Sequence, residues 1–204
     1  MASRPADLLV ATTNRGKARE IAAALASFPI RVLSLSDAGI DLSCPEKGKT
    51  FEANARTKAE FYSRRTGLPT LAEDSGLEIE ALGGKPGVVS ARYSGPGATD
   101  ARNVSKVLRL LGPLPRAKRR ARFVCAMALA RDGRILETVR GTVRGTIGFA
   151  PRGSGGFGYD PIFYYHPFRK TFAELEPGEK NAVSHRGRAL SAMIRRLPRF
   201  LHHS

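Results

Sequence analysis

The stretch that most constrains this chain is Leu71-Ala72-Glu73-Asp74-Ser75-Gly76-Leu77. An apolar run from Leu68 to Ala72, interrupted by Pro69, leads straight into two adjacent acids and a Ser-Gly pair. Read as a buried strand closed by a turn, it delivers both carboxylates to a sheet edge, where loops and ligands meet. Two neighbouring like charges repel and need a compensating cation or hydrogen-bond donors. With 34 Lys+Arg against 18 Asp+Glu, a formal net charge of +16, the compensator expected here is a divalent metal held by oxygen ligands. A solvated acidic turn is the competing reading of the same residues.

The charge balance also favours polyanionic partners, either nucleic acid or a phosphate-rich small molecule. Much of the excess sits in Arg116-Ala117-Lys118-Arg119-Arg120-Ala121-Arg122 and in Arg195, Arg196 and Arg199. No aromatic residue interleaves the first run, so it lacks the stacking surface of a single-strand binder and reads as a solvated basic loop. At 204 residues the chain suits a single domain with one or two lobes. No apolar run approaches a membrane span, and the polar start Met1 to Asp7 lacks the pattern of a signal peptide, so a cytoplasmic protein is expected. Cys44 and Cys125 are the only cysteines and form no C-x-x-C. That excludes a zinc cage and a disulfide framework and leaves Cys125 as a small buried hydrophobe.

In chain order, Leu8 to Ala11 reads as a first buried strand, followed by Thr12-Thr13-Asn14-Arg15-Gly16-Lys17 and a helix with Ile21, Leu25 and Phe28 on one face. Asn14 is placed to cap that helix. Arg15 and Lys17 then fall in its first turn, where the helix dipole disfavours cations unless an anion sits there, so the turn reads as a phosphate cradle. A second helix runs from Thr50 to about Arg64, with Phe51, Ala55, Ala59 and Tyr62 as its apolar stripe. Asn54 and Lys58 share its polar face, and Glu46 lies in the loop before it. Gly48-Lys49-Thr50 mimics the end of a phosphate-binding P-loop, but Ser43 stands at the required first glycine, which rejects that motif.

Thr99 to Leu111 reads as a third helix, ended by Gly112-Pro113; Phe123 to Ala130 and Ile135 to Thr146 read as strands joined by an Asp132-Gly133 hairpin turn. Strands and helices in this order predict an α/β fold with a mixed sheet. Gly153-Ser154-Gly155-Gly156-Phe157-Gly158 formally matches a dinucleotide fingerprint, yet Pro161 follows too soon for the helix that fingerprint needs. Four glycines around Phe157 read instead as backbone brought close to a flat ligand, with the ring free to stack and Asp160 at the rim to accept from a base edge. The last element opens at Glu176, with Lys180 to meet phosphate or the leaving group and His185 and Arg186 as directed donors at a loop-to-helix junction. It then runs as a helix with Leu190, Ile194 and Leu197 on one face.

Together these segments resemble the inosine/xanthosine triphosphate pyrophosphatase family. The blocks are Ala-Thr-x-Asn-x-x-Lys (11–17), Thr-Phe-x-x-Asn-Ala (50–55), Ala-Glu-Asp-Ser-Gly-Leu (72–77) and Leu-Gly-Gly-x-Pro-Gly (82–87). They continue with Ser-Ala-Arg-Tyr-Ser-Gly (90–95), Gly-Gly-Phe-Gly-Tyr-Asp-Pro-Ile-Phe (155–163) and Glu-Lys-x-x-x-Ser-His-Arg (179–186), from Leu8 to about Leu197 in all. The resemblance implies an elongated α/β fold of two lobes around a central mixed β-sheet, the active site in the cleft between them. It further implies one pyrophosphatase domain over residues 1–204, a homodimer, and a Mg²⁺ requirement. The activity implied is hydrolysis of deaminated purine nucleoside triphosphates (ITP, dITP, XTP) to the monophosphate and pyrophosphate. By matching motif, Thr12, Thr13, Asn14, Arg15, Gly16, Lys17 and Lys58 bind the triphosphate. Glu46 and Asp74 hold the metal, Asp74 is the proton acceptor, and Ser75 lies near the substrate. Phe157, Gly158, Tyr159, Asp160, Lys180, His185 and Arg186 form the nucleotide and base pocket. Thr13 and Glu73 depart mildly from the family pattern, which often has Gly or Asn, and Asp, at those positions. Because a metal-bound carboxylate is a poor base, Glu73 and a metal-bound hydroxide stand beside Asp74 as acceptors of the proton. Two other functions compete: a basic nucleic-acid-binding protein on a related scaffold, motivated by residues 116–122, and a Maf-like pyrophosphatase for other modified nucleotides.

Overall fold

The first apolar run forms β1 (Ala6–Ala11) in a computed structural model that describes residues 6–201. The first five residues of the polar start, on which the expectation of no leader rests, lie outside the described residues. β1 pairs in parallel with β2 (Ile30–Leu33) and with β3 (Thr70–Ile79), setting Val10 opposite Leu71 and Ala11 opposite Ala72. Parallel neighbours need long crossovers, and helices supply them. α1 (Arg15–Leu25) starts where the Asn14 side chain accepts the Lys17 N–H at 3.0 Å, as the sequence predicts, and buries Ile21 and Leu25. α2 (Phe51–Thr66) is capped by Thr50 Oγ1, which accepts the Ala53 N–H at 3.1 Å, and closes at Gly67 in the left-handed conformation. Its stripe of Phe51, Ala55, Ala59 and Tyr62 is buried.

β3 corrects the first expectation. It does not stop at Glu73-Asp74: the strand runs on through Ser75 and Gly76 to Ile79, and Gly76 stays out of the left-handed region. Nor does it lie at the side edge of the sheet, whose order is β2-β1-β3-β4-β5-β6-β7. Residues Thr70 to Asp74 are all buried, so ladder pairing is the available way to satisfy their backbone groups. α3 (Asp100–Leu111) follows a Thr99 cap and buries Val104, Val107 and Leu111. β4 (Arg120–Arg131) and β5 (Arg134–Ile147) meet at Asp132-Gly133, where positive φ at both residues gives the primed hairpin turn foreseen from that dipeptide. β6 (Phe163–Tyr165) and β7 (Lys170–Thr171) extend the sheet in antiparallel fashion, which makes it mixed.

The C-terminal helix starts at His185, the junction the sequence predicts, but it ends before Leu197 and a further short helix precedes it. α4 (Pro177–Val183) and α5 (His185–Ile194) are separated by Ser184 in extended conformation, and α6 (Pro198–Leu201) follows. Leu190 and Leu197 are buried as their spacing requires.

The chain divides into two compact units. One comprises the chain up to Asp74, Cys125–Gly141 and the chain from Arg186 on. Its core joins Leu8, Val10, Ile21, Leu25, Leu71, Met127, Leu129, Leu190 and Met193. The other comprises Ser75–Val124 and Thr142–His185. Its core joins Leu77, Ile79, Val107, Phe123, Ile147, Ile162, Phe163 and Phe172. Among the described residues no helix is long and apolar enough to cross a membrane.

The basic run is the second correction, in part: Arg116, Lys118, Arg120 and Arg122 are exposed as a solvated run would be, but Arg119 is buried and β4 begins at Arg120. Arg116–Lys118 form a 3-10 turn. Arg119 is fully buried, donating Nε to Ile147 O (2.9 Å), Nη1 to Gly112 O (3.1 Å) and Nη2 to Gly148 O (2.8 Å). Arg120 and Arg122, on β4, pair with Glu80 and Glu78 at 2.8 and 2.5 Å. A guanidinium with five directed donors can replace water at several carbonyls at once, which a charge count does not foresee.

Candidate active site

Strand alternation sends successive side chains to opposite faces. On β3 this separates the two acids that sequence places side by side. Glu73 is 1% exposed; its Oε1 meets Lys17 Nζ at 2.6 Å, and its Oε2 lies 3.5 Å from Arg186 Nε and accepts from the Cys125 thiol at 3.3 Å. Burial pushes the Glu73 carboxyl up, but Lys17, Arg186 and Lys58 together overcome it and hold it well below the usual carboxylate range. Burial likewise drives the Cys125 thiol well above its ordinary value, with Glu73 adding to the effect. Arg186 is itself buried and also binds Glu20 through Nη1, so it sits between two carboxylates. Burial opposes its charge, yet Glu73 and Glu20 hold it protonated.

Asp74 has different company. Its Oδ2 accepts from Asn54 Nδ2 at 2.9 Å, and its Oδ1 lies 3.9 Å from Lys58 Nζ. Lys58 in turn donates to Glu46 Oε1 at 3.1 Å. Burial raises the proton affinity of Asp74 above the ordinary carboxylate value despite Lys58 and Asn54, which pull the other way. Asn54 and Lys58, one helical turn apart on α2, therefore both serve the acid. Asn54 Oδ1 also accepts the Gly48 N–H at 2.8 Å, tying the Glu46 loop to α2. That contact explains Gly48: a Cβ there would stand 2.5 Å from Asn54 Oδ1.

The divalent metal implied by the family can be tested against this donor set. Mg²⁺ takes oxygen ligands, and it is usually held by one or two carboxylates together with substrate phosphates and water. Glu46 and Asp74 are two carboxylates gathered around one cation, Lys58 Nζ. Among the described residues no group of three or more His, Cys, Asp or Glu could form an all-protein cage. The pair fits a metal shared with a phosphate substrate.

Thr12 to Lys17 form the exposed to half-buried turn from β1 into α1, with the Asn14 N–H donating to Thr12 Oγ1 at 3.2 Å. Ser75 follows Asp74 on β3 and is half-buried. Thus Thr12–Lys17, Glu46, Lys58, Asp74 and Arg186 all belong to the first unit, where Glu20 and Asn54 join them.

The second unit gathers the other predicted residues. Asp160 is not at a rim. It is 2% exposed, and its Oδ2 accepts from Lys180 Nζ at 2.6 Å and from the Phe157 N–H at 2.9 Å. It lies against Gly156, where a Cβ would approach Asp160 Oδ2 to 2.2 Å at a φ of +72°. Lys180 Nζ also stands 4.6 Å from the centroid of the half-buried Phe157 ring. The Tyr159 hydroxyl donates to Ser90 O at 2.8 Å, and burial pushes its pKa up, so its phenol is a tether within the unit. The Gly158 N–H donates to Asp100 Oδ2 at 2.7 Å. The His185 ring stacks on Phe123, 4.7 Å between centroids and 12° between planes.

Sequence reasoning passed over Glu20, Asn54 and Asp100 as site residues. Asn54 carried a signal, its i, i+4 relation to Lys58. Glu20 and Asp100 carried none, because their partners lie 166 and 58 positions away.

Comparison with known proteins accords with this geometry. A protein from Geobacillus kaustophilus named dITP/XTP pyrophosphatase is 50% identical over 187 residues, 92% of this chain and 92% of its own. One of the same name from Geobacter sulfurreducens is 51% identical over 186 residues, covering 91% and 94%. The solved structure of a HAM1 protein from Coxiella burnetii superposes with a TM-score of 0.86 at 41% identity, covering 95% of this chain and 99% of that one. Residues 8–196 match the model of the Ham1 family, and to that family this chain belongs.

Proposed function

We propose that the protein hydrolyses deaminated purine nucleoside triphosphates (ITP, dITP and XTP) to the monophosphate and pyrophosphate. The observation that carries this reading is the set Glu46, Lys58 and Asp74: two carboxylates gathered on one ammonium. The names of relatives about half identical over nine-tenths of the chain support the same activity.

In the proposed reaction, a water molecule attacks the α-phosphorus and gives its proton to Asp74. The bond from that phosphorus to the α–β bridging oxygen breaks, and pyrophosphate leaves with the bonding pair. Glu73 is engaged by Lys17 and Arg186, which leaves Asp74, held by Asn54 and close to Lys58, as the acceptor in this reading. Bound Mg²⁺, held by Glu46 and Asp74, would neutralise phosphate charge. Lys58 and the Thr12–Lys17 turn bind the triphosphate, through two lysines, Arg15 and first-turn N–H groups. Ser75 lies beside the reacting phosphate by its place next to Asp74.

Phe157 stacks on the base, Gly158 and Tyr159 shape its edge, and Asp160 with Lys180 holds that segment. His185 and Arg186 direct donors at the six-position oxygen. In this reading the guanidinium, a donor-only group, serves the oxygen while its ion pairs with Glu20 and Glu73 fix its place. Adenine's amino group there would set donor against donor, costing about 1–3 kcal/mol. By the same family reading the enzyme is a cytoplasmic homodimer. The nucleic-acid reading is weakened at its main motif, because Arg119 is buried on backbone carbonyls and Arg120 and Arg122 pair with Glu80 and Glu78.

The test is pyrophosphate release from ITP, XTP, ATP and GTP with Mg²⁺. A kcat/KM for ITP or XTP at least about tenfold above ATP and GTP, some 1.4 kcal/mol, is expected. No turnover together with tight DNA binding would contradict the proposal.

A further inference from the structure

The backbone of residues 156–158 turns through left-handed glycines at Gly156 and Gly158 and points two consecutive N–H groups at acids. The Phe157 N–H goes to Asp160, whose carboxylate is fixed in turn by Lys180. The Gly158 N–H goes to Asp100, the first residue of α3, just beyond its Thr99 cap. Asp100 is exposed and could be solvated like any surface acid. Instead its Oδ2 reaches across 58 positions to a backbone donor at 2.7 Å.

A turn built on two positive-φ glycines has few steric restraints of its own, so its conformation depends on where its N–H groups are held. Asp160 restrains it from within the segment. Asp100 restrains it from a helix whose own face is anchored by Val104, Val107 and Leu111. A side chain leaving the backbone between two held N–H groups has its Cα–Cβ direction set by them, and here that side chain is Phe157.

From this geometry we infer that Asp100 is a positioning residue for Phe157, acting through the Gly158 N–H to fix the plane on which the purine stacks. The assignment rests on Phe157 being the stacking platform of the proposed pyrophosphatase. Stacking is made in ground and transition states alike, so misplacing the ring should change KM and leave kcat. A merely structural Asp100 would change stability without that split.

The experiment compares wild type, D100A and D100N by steady-state kinetics on ITP, amide hydrogen exchange at Gly158 and thermal unfolding. D100A should raise KM for ITP by about threefold to tenfold with kcat within about twofold. It should also speed Gly158 exchange while leaving Tm close to wild type. D100N, whose amide oxygen accepts the same bond, should restore both the KM and the protection. An unmoved KM in D100A with an active wild type, or D100N as impaired as D100A, overturns the assignment alone. Wild type that turns over no triphosphate overturns the pyrophosphatase reading, and this assignment with it.

Discussion

Glu73 and Asp74 are adjacent in the chain and project to opposite faces of β3, where their nearest partners differ. Glu73 lies between Lys17 and Arg186, and Asp74 beside Asn54 and Lys58. Their proton affinities are driven apart, Glu73 downwards and Asp74 upwards. In a carboxyl-carbon NMR titration of the folded protein, Glu73 should remain ionised well below the ordinary carboxylate range. Asp74 should take up its proton above its ordinary value of 3.8. Glu73's depressed value also sets a sign for stability. Its contribution is complete above its unfolded value of 4.5 and is lost as pH falls below that toward the folded value. Coincident titrations of the two carboxyls would contradict the separation.

Lys17 has two duties that a double variant separates. It neutralises buried Glu73 and stands at the turn assigned to phosphate. Lys17→Ala should lower stability by about 1–3 kcal/mol, because Arg186 still compensates the carboxylate in part, and should raise KM for ITP. Adding Glu73→Gln should recover much of the Tm but not the KM. Recovery of both would make Lys17 purely structural.

Asn54 is predicted to position Asp74 and not only to fill space. Asn54→Asp keeps the acceptor for the Gly48 N–H and removes the donor to Asp74, placing a like charge there. Turnover should fall by about 10²-fold or more, approaching the loss in Asp74→Asn, which removes the proton acceptor. Both variants should remain folded by circular dichroism. Wild-type kcat in Asn54→Asp would remove this residue from the mechanism.

Arg119 carries structure, not recognition. Arg119→Ala leaves three carbonyl oxygens without their guanidinium donors and should cost about 3–5 kcal/mol in chemical denaturation. A change within about 0.5 kcal/mol, as for an ordinary surface site, would contradict this role.

Local chemistry made much of the fold readable. Asn14 stands before a helical stripe as its cap, and Asp132-Gly133 carries the positive φ of a hairpin turn. α2 and α3 start within a residue of where their patterns put them, with Thr50 and Thr99 serving as their caps. β2, β6 and β7 escaped notice because they are two to four residues long and offer too little periodicity to read. The turn expected after Asp74 failed because Ser-Gly is also compatible with a strand whose neighbours supply the ladder. In the candidate site, residue types were legible but allegiances were not. Asp160 looked like a rim acceptor and is a buried partner of Lys180, and Arg186 looked like a free donor and lies between Glu20 and Glu73. Such pairings join residues far apart in the chain, and spacing carries no information about them.

Arg186 accordingly makes a poor probe of base selectivity by truncation alone. Arg186→Ala would leave Glu20 and Glu73 without their shared cation and should destabilise by about 3–5 kcal/mol. Its effect on the ratio of ITP to ATP activity is to be read below the variant's own Tm. A Tm equal to wild type would contradict the buried pairing.

The central claim is that water attacks the α-phosphorus of a deaminated purine triphosphate, with Asp74 receiving the proton. Turnover of ITP in ¹⁸O-labelled water, followed by mass spectrometry of both products, tests it most directly. The account predicts inosine monophosphate carrying the label, unlabelled pyrophosphate, and no product from Asp74→Asn over the same interval. Label in pyrophosphate, or inosine diphosphate with free phosphate as the products, would contradict it.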